Sequence, residues 1–250
     1  MVVASTRTAL AAVITLLLGV VSASAQTIEQ NRKMCGDDSV APAVAIRACT
    51  TLIESGVDTG TRLAFDYMTR GNKYDDNGMP EQALRDYEQA LRLAPGEAQI
   101  YRNRGVTYRG MRDYTRAADD FSQAIRLKPD YAAAYINRGA ALERLGQYDQ
   151  AVLDYAQAIT LAPDDADGHF RLASCHLVTG RYDAAIQSYT RALALTPNDS
   201  DSYYFRGLAK LKNGDAPGGT SDLAAASRID PDVEATFTKS GRILCGRALP

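Results

Sequence analysis

Tryptophan is absent from this chain of 250 residues, histidine occurs twice and cysteine four times. The two histidines, His169 and His176, stand seven positions apart on one predicted helix. That spacing puts them about 10 Å apart along the axis, too far to share a metal ion. The cysteines include no close Cys-x-x-Cys pair, so they supply no ligand set either. Neither a Gly-Lys-Ser/Thr phosphate loop nor a Gly-x-Ser-x-Gly elbow occurs. Carboxylate pairs stand at Asp75-Asp76, Asp119-Asp120 and Asp164-Asp165, but at turns or on second helices, where solvated surface accounts for them. These absences argue against an enzyme, and nothing requires a cofactor or a metal.

Charge of one sign is also lacking, as are long apolar runs after the first residues. Arg7 precedes an apolar run from Ala9 to Val21, and Ala23-Ser24-Ala25 offers small residues for a signal peptidase. A run of about 13 residues suits a secretory core and is too short to span a bilayer comfortably. Residues 1–25 therefore read as a signal peptide, the alternative being an uncleaved anchor. No membrane span is expected in the mature chain. Cleavage removes Arg7 and no acidic residue, leaving 27 Lys+Arg against 30 Asp+Glu, a net charge of −3. Near balance speaks against nucleic acid, and no polybasic segment is present for anionic lipid.

Export to a periplasm or beyond means an oxidising compartment, which decides how the cysteines are read. Cys35 and Cys49 lie 14 residues apart where a packed core is thinnest, and they are expected to form a disulfide. Closing such a loop contributes about 3 kcal/mol in the chain-entropy picture. Cys175 lies inside a predicted helix and reads as a buried thiol. Cys245 is left as free, or as paired with Cys175 or with another chain.

What the chain does have is a repeat. Sliding the stretch Ile100–Pro129 forward by 34 residues brings Tyr101 onto Tyr135, Gly105 onto Gly139, Ala117 onto Ala151, Ala124 onto Ala158 and Pro129 onto Pro163. Sliding it back finds Tyr67, Gly71, Ala83, Ala90 and Pro95. A fixed period marks a stacked array. Five units follow: 64–97, 98–131, 132–165, 166–199 and 200–233. In each second helix a large residue (Tyr87, Phe121, Tyr155, Tyr189 or Leu223) sits four after one small residue and three before another. All three therefore share a helical face. A proline then ends each pair, since it cannot continue the hydrogen-bond ladder. Residues 26–40 look irregular, Ala41–Glu54 reads as a capping helix stopped by Ser55-Gly56, and residues 232–244 resemble a closing helix. The domain boundaries are thus an arm and cap over 26–63, repeats over 64–233, and a carboxyl-terminal cap and tail over 234–250.

This pattern resembles the tetratricopeptide repeat, in the form of exported bacterial proteins with a cysteine-bearing amino-terminal capping helix. The resemblance implies an all-α fold, a right-handed α-solenoid of helix–turn–helix repeats. It also implies a non-catalytic scaffold that binds a protein or peptide partner in a concave groove lined by first helices. On that basis the lining includes Asn72, Arg102, Asn103, Arg109, Asn137, Arg144 and Arg171. Guanidinium groups suit carboxylates and amides suit peptide backbone. The pattern by which some relatives hold a terminal carboxylate is incomplete here, since Val106 and Asp167 break it in one frame. Assembly through the convex face or the end caps is the competing expectation. Neither partner nor oligomeric state can be read from the residues.

One pairing comes from the residues themselves. Arg70, Arg104, Arg138 and Arg206 precede the helical glycines, and Asp86, Asp120, Asp154 and Asp222 follow sixteen residues later. The remaining repeat carries Leu172 and Ser188, losing both partners together. Ion pairs linking the two helices of a repeat are expected.

Overall fold

A computed structural model of the chain describes residues 27–239. The expected signal segment, Cys245 and the end of the closing helix lie outside the described residues. Every regular element described is a helix. A first helix, α1, covers residues 27–36, and then come α2 Pro42–Ser55, α3 Gly60–Asp76, α4 Pro80–Leu93, α5 Ala98–Gly110, α6 Tyr114–Leu127 and α7 Ala132–Arg144. The series continues with α8 Tyr148–Leu161, α9 Ala166–Val178, α10 Tyr182–Leu195, α11 Ser200–Lys212, α12 Ala216–Ile229 and α13 Val233–Lys239. Among the described residues no helix is long and apolar enough to cross a membrane.

Residues 27–36 correct the expectation of an irregular arm. Contacts beyond the local sequence hold this helix. Cys35 is disulfide-bonded to Cys49 of α2 and Arg32 Nη2 reaches Asp58 Oδ2 at 2.6 Å, while just past the helix the buried Lys73 meets Asp38 at 2.5 Å. Both cysteines are buried with Ala48 and Leu52. Cys175 is fully buried in α9, as expected, but no cysteine is free, so the thiol expected there is not observed.

Two compact units make up the chain, residues 1–103 and 104–250. In the first, α3 packs on α4 and α2 packs on α3. Its core gathers Ala64, Met68, Ala83, Tyr87, Ala90 and Ile100. In the second, α7 pairs with α8, α9 with α10 and α11 with α12, and each pair packs on the next. Tyr155, Tyr189, Phe121 and Phe205 are fully enclosed there. Burying a ring of this size is worth about 1.5–3 kcal/mol, which explains why large residues recur at the repeat period.

Close approach explains the small residues. A Cβ added at Gly139 would lie 2.8 Å from Cε1 of Tyr155, so the ring lies directly on the helix backbone. Turns between paired helices use left-handed backbone at Gly146, Gly180 and Gly214, with φ of 75°, 76° and 91°. At the equivalent turn of repeat 98–131 the residue is Arg112, φ 63°, which sequence inspection had no glycine to mark. Aspartate side chains at Asp113, Asp165, Asp199 and Asp215 accept backbone N–H groups at the starts of α6, α9, α11 and α12. The cap at Asp215 lets the Ala-Pro-Gly-Gly-Thr segment begin α12 despite its poor helix propensity.

Candidate functional site

Between the two helices of a repeat the charged groups are closed in pairs. Arg70 Nε and Nη2 donate to Asp86 at 2.7 and 2.8 Å in the first unit. In the second unit Arg104 and Asp120 pair at 2.8 and 2.7 Å, Arg138 and Asp154 at 2.8 and 2.6 Å, and Arg206 and Asp222 at 2.7 and 2.8 Å. Each is a two-pronged clasp with a buried carboxylate, the geometry that suits a guanidinium best. The remaining Nη1 often does more. It donates to Thr50 from Arg70, to Ser122 from Arg138 and to Thr190 from Arg206, each at 3.1 Å. These hydroxyls lie on the preceding second helix or on α2, so one arginine fastens neighbouring layers. A hydroxyl sixteen residues before the arginine was the missed signal in two of these cases. Burial by itself raises the Asp222 carboxyl, but the hydrogen bonds and charges of Arg206 and Lys210 outweigh it and hold it low.

The first-helix side is different. In the first unit Asn103 Nδ2 donates to Asn72 Oδ1 at 3.0 Å, and Tyr87 Oη donates to the same oxygen at 2.8 Å. Arg102 Nη1 donates to Asn103 Oδ1 at 3.1 Å while its buried Nε finds no acceptor. In the second unit Asn137 Nδ2 turns back to the Ala133 carbonyl at 2.8 Å. Arg144 is exposed with its guanidinium 5.8 Å from the Tyr114 ring centre, and Arg109 is half-buried. Arg171 Nε donates to Asp167 at 2.6 Å. Asn72, Arg102 and Asn103 are thus joined in one chain of hydrogen bonds, whereas the residues of the second unit are bound separately.

The most perturbed groups here are ones that sequence inspection passed over. Glu143, on α7, is 9% exposed, and burial pushes its carboxyl up to about 7 despite the nearby Arg171. Tyr155 is fully enclosed and its hydroxyl makes no hydrogen bond. Burial and the neighbouring Glu143 raise its phenol well above the ordinary value. His169 Nε2 donates to the Pro163 carbonyl at 3.0 Å, and His176 is lowered by burial and by Arg181. Among the described residues no three His, Cys, Asp or Glu side chains are placed to hold a metal. Such a face can hold a polar chain segment by hydrogen bonds; it arranges no nucleophile with a base.

Sequence comparison matches tetratricopeptide-repeat family models over residues 105–166, 141–200, 180–234 and 64–97. No curated protein matches the chain in sequence. Among solved structures, YrrB, described as a TPR protein with an unusual peptide-binding site, superposes with a TM-score of 0.67 at 24% identity. That match covers 78% of this chain and 99% of YrrB. A MamA protein superposes with a TM-score of 0.64 at 23% identity, over 70% of this chain and 95% of its own. MamA from Desulfovibrio magneticus RS-1 gives 0.64 at 21% identity, over 68% and 96%.

Proposed function

The chain belongs to the tetratricopeptide-repeat family, and on that premise we propose that this non-catalytic protein–protein interaction scaffold works in a bacterial periplasm and holds an extended partner segment along the first helices of its repeats. The observation that carries the reading is the contrast between the two sides. Charges between the two helices of a repeat are closed in clasps, while Arg102 Nε, on the first helix α5, is buried without a partner. Buried polar atoms without hydrogen bonds cost free energy, and a bound peptide backbone can relieve that cost. YrrB, with its peptide-binding site, supports the same use of the fold. The Cys35–Cys49 disulfide and the pattern of residues 1–25 support export, because disulfides persist outside the reducing cytoplasm.

A second reading has its own observation. Between α6 and α8 lies a cleft of about 440 Å³ lined in part by Ser122, Leu142, Leu145 and Leu153, and Leu153 is 70% exposed. An assembly subunit docking through this side would cover it. Affinity capture from exported proteins with the parent, Arg102→Glu and Leu153→Glu separates the two. Loss of the captured partner with Arg102→Glu alone supports the first-helix face; loss with Leu153→Glu alone overturns it in favour of the second helices. Fractionation with intact-mass measurement tests export: a chain of full length in the cytoplasm would remove the periplasmic assignment.

A further inference from the structure

The Cys35–Cys49 bond accounts for only half of the cysteines. Cys175 is disulfide-bonded as well, and among the described residues no cysteine is free. The chain has four cysteines, so within one chain the partner left for Cys175 is Cys245. Cys175 is fully buried in α9, with its Sγ 3.2 Å from Oε1 of Glu143 on α7. Both helices are the first of their repeats. A disulfide holds its two Cα atoms within about 4.4–6.8 Å, so the bond draws Cys245 to the first-helix side of the second unit.

The way there is short. α13 ends at Lys239 and packs on α11, which in turn contacts α9. Neighbouring helix axes stand about 8–10 Å apart, which puts α13 about 16–20 Å from α9. Cys245 comes six positions after Lys239, and a segment of that length reaches about 20 Å when extended. α10 and α12 take the other flank of α11, so the direct line runs over its first-helix face. Charge agrees with this course. Residues 240–250, Ser-Gly-Arg-Ile-Leu-Cys-Gly-Arg-Ala-Leu-Pro, carry Arg242 and Arg247 and no acidic side chain. Beside the line lies a cleft of about 350 Å³ lined by Asp167, Phe170, Asp199 and Asp201 among others. Three carboxylates against the one guanidinium of Arg171 leave it acidic on balance.

We propose that residues 240–250 are an internal ligand of the first-helix groove, fastened there by a Cys175–Cys245 disulfide and released when that bond is reduced. The inference rests on the first-helix reading and adds its regulation. Phe170 stands five positions before Cys175, about 7.5 Å along the helix axis. Arg242 and Arg247 flank Cys245 at three and two positions, about 10 and 7 Å of extended chain, so both reach the acidic cleft from the anchored sulfur. Guanidinium groups suit the carboxylates that line it. A tethered segment competes at high effective concentration, so a partner segment is kept from this end of the groove while the bond stands. Opening takes two electrons and two protons from a dithiol reductant. One of its thiolates attacks a sulfur of the bond to form a mixed disulfide, and its second thiol resolves that intermediate. The reductant leaves as a disulfide, and Cys175 and Cys245 end as thiols.

Mass mapping of the unreduced full chain comes first. A fragment joining Cys175 to Cys245 within a monomer is expected; a Cys175 thiol, or a bond to a second chain, overturns the proposal. Occupancy is then read on full-length variants, because a reductant would also open Cys35–Cys49. These are Cys245→Ser, and the triple variant that adds Arg242→Glu and Arg247→Glu. The probe is a fluorescein-labelled peptide of residues 240–250 with serine in place of Cys245. It is expected to bind the triple variant at least about tenfold more tightly than the disulfide-bonded parent, with Cys245→Ser between them. Adding Asp201→Asn to the triple variant should weaken the probe several-fold. Equal binding to parent and triple variant, or binding to neither, overturns the internal ligand. Hydroxyl-radical footprinting gives an independent reading: Phe170 and Tyr204 should react several-fold faster in the triple variant, and unchanged rates sink the idea. None of these failures touches Arg102 of the first unit, whose capture experiment decides the first-helix reading separately.

Discussion

Repeats 132–165 and 166–199 are neighbours in one unit, share a period, and satisfy opposite requirements. The first has the Arg138–Asp154 clasp yet leaves the Tyr155 hydroxyl without a hydrogen bond and the Glu143 carboxyl raised by burial. The second has Leu172 and Ser188 where the clasp would be, yet gives Tyr189 its Ser174 partner. Helices α7 and α8 each carry one member of the clasp and one of the two perturbed groups, so a charge that is paired and a carboxyl that is raised by burial stand a turn or two apart on the same pair of helices.

The largest way to break that contrast is to remove one side of the clasp. Asp154→Ala leaves the Arg138 guanidinium with only the Ser122 hydroxyl to face, and is expected to cost about 3 kcal/mol by chemical denaturation. Ser188→Ala, at the equivalent place in the next repeat, should change stability by under about 0.5 kcal/mol. Equal effects would show that the clasp contributes nothing particular.

Next in size is the pH response of Glu143. A carboxyl raised from an ordinary 4.5 to about 7 binds its proton more tightly in the folded chain than in the unfolded one. Its contribution is full below pH 4.5 and is lost as the pH climbs through 7. Glu143→Gln should therefore match the parent near pH 5 and exceed it by roughly 2 kcal/mol near pH 8.5. Parallel stability profiles for the two proteins would contradict the burial assigned to this side chain.

A smaller difference separates the two tyrosines. Tyr189→Phe removes a partnered hydroxyl and should cost about 1 kcal/mol, whereas Tyr155→Phe removes an unmet one and should cost nothing or stabilise. Thermal unfolding of both variants decides, and equal losses would erase the distinction. Smallest is the turn at Arg112, whose left-handed backbone is taken by glycine at positions 146, 180 and 214. Arg112→Gly is expected to gain up to about 1 kcal/mol, and a loss would mean that the side chain makes compensating contacts.

Much of the architecture was legible beforehand because it depends on spacing. Small residues four before and three after a ring set the packing face, and prolines set the ends. The arginine–aspartate spacing coincides with clasps of 2.6–2.8 Å. The candidate site was less legible. The groove residues expected from sequence are conspicuous arginines and asparagines, and several of these, such as Asn137 and Arg171, are bound within the chain. Tyr155 reads in sequence as a packing ring, and no sequence feature singles out Glu143. Comparing Ala140 with Asn72 and Ser174 in register could have flagged the hydroxyl, but nothing local to position 143 shows that a neighbouring helix covers it.

The order of amino acids alone determined the class of fold, the period and the helix ends, since these follow from interactions within a turn or between adjacent helices. Tertiary structure alone decided that residues 27–36 form a helix and that Glu143 loses its water. Both depend on what other segments bring against them: for α1 the partners Cys49 and Asp58, and for Glu143 the side chains of α8 and α9. A carboxyl's proton affinity is set by its surroundings in space, and distance along the chain does not encode them.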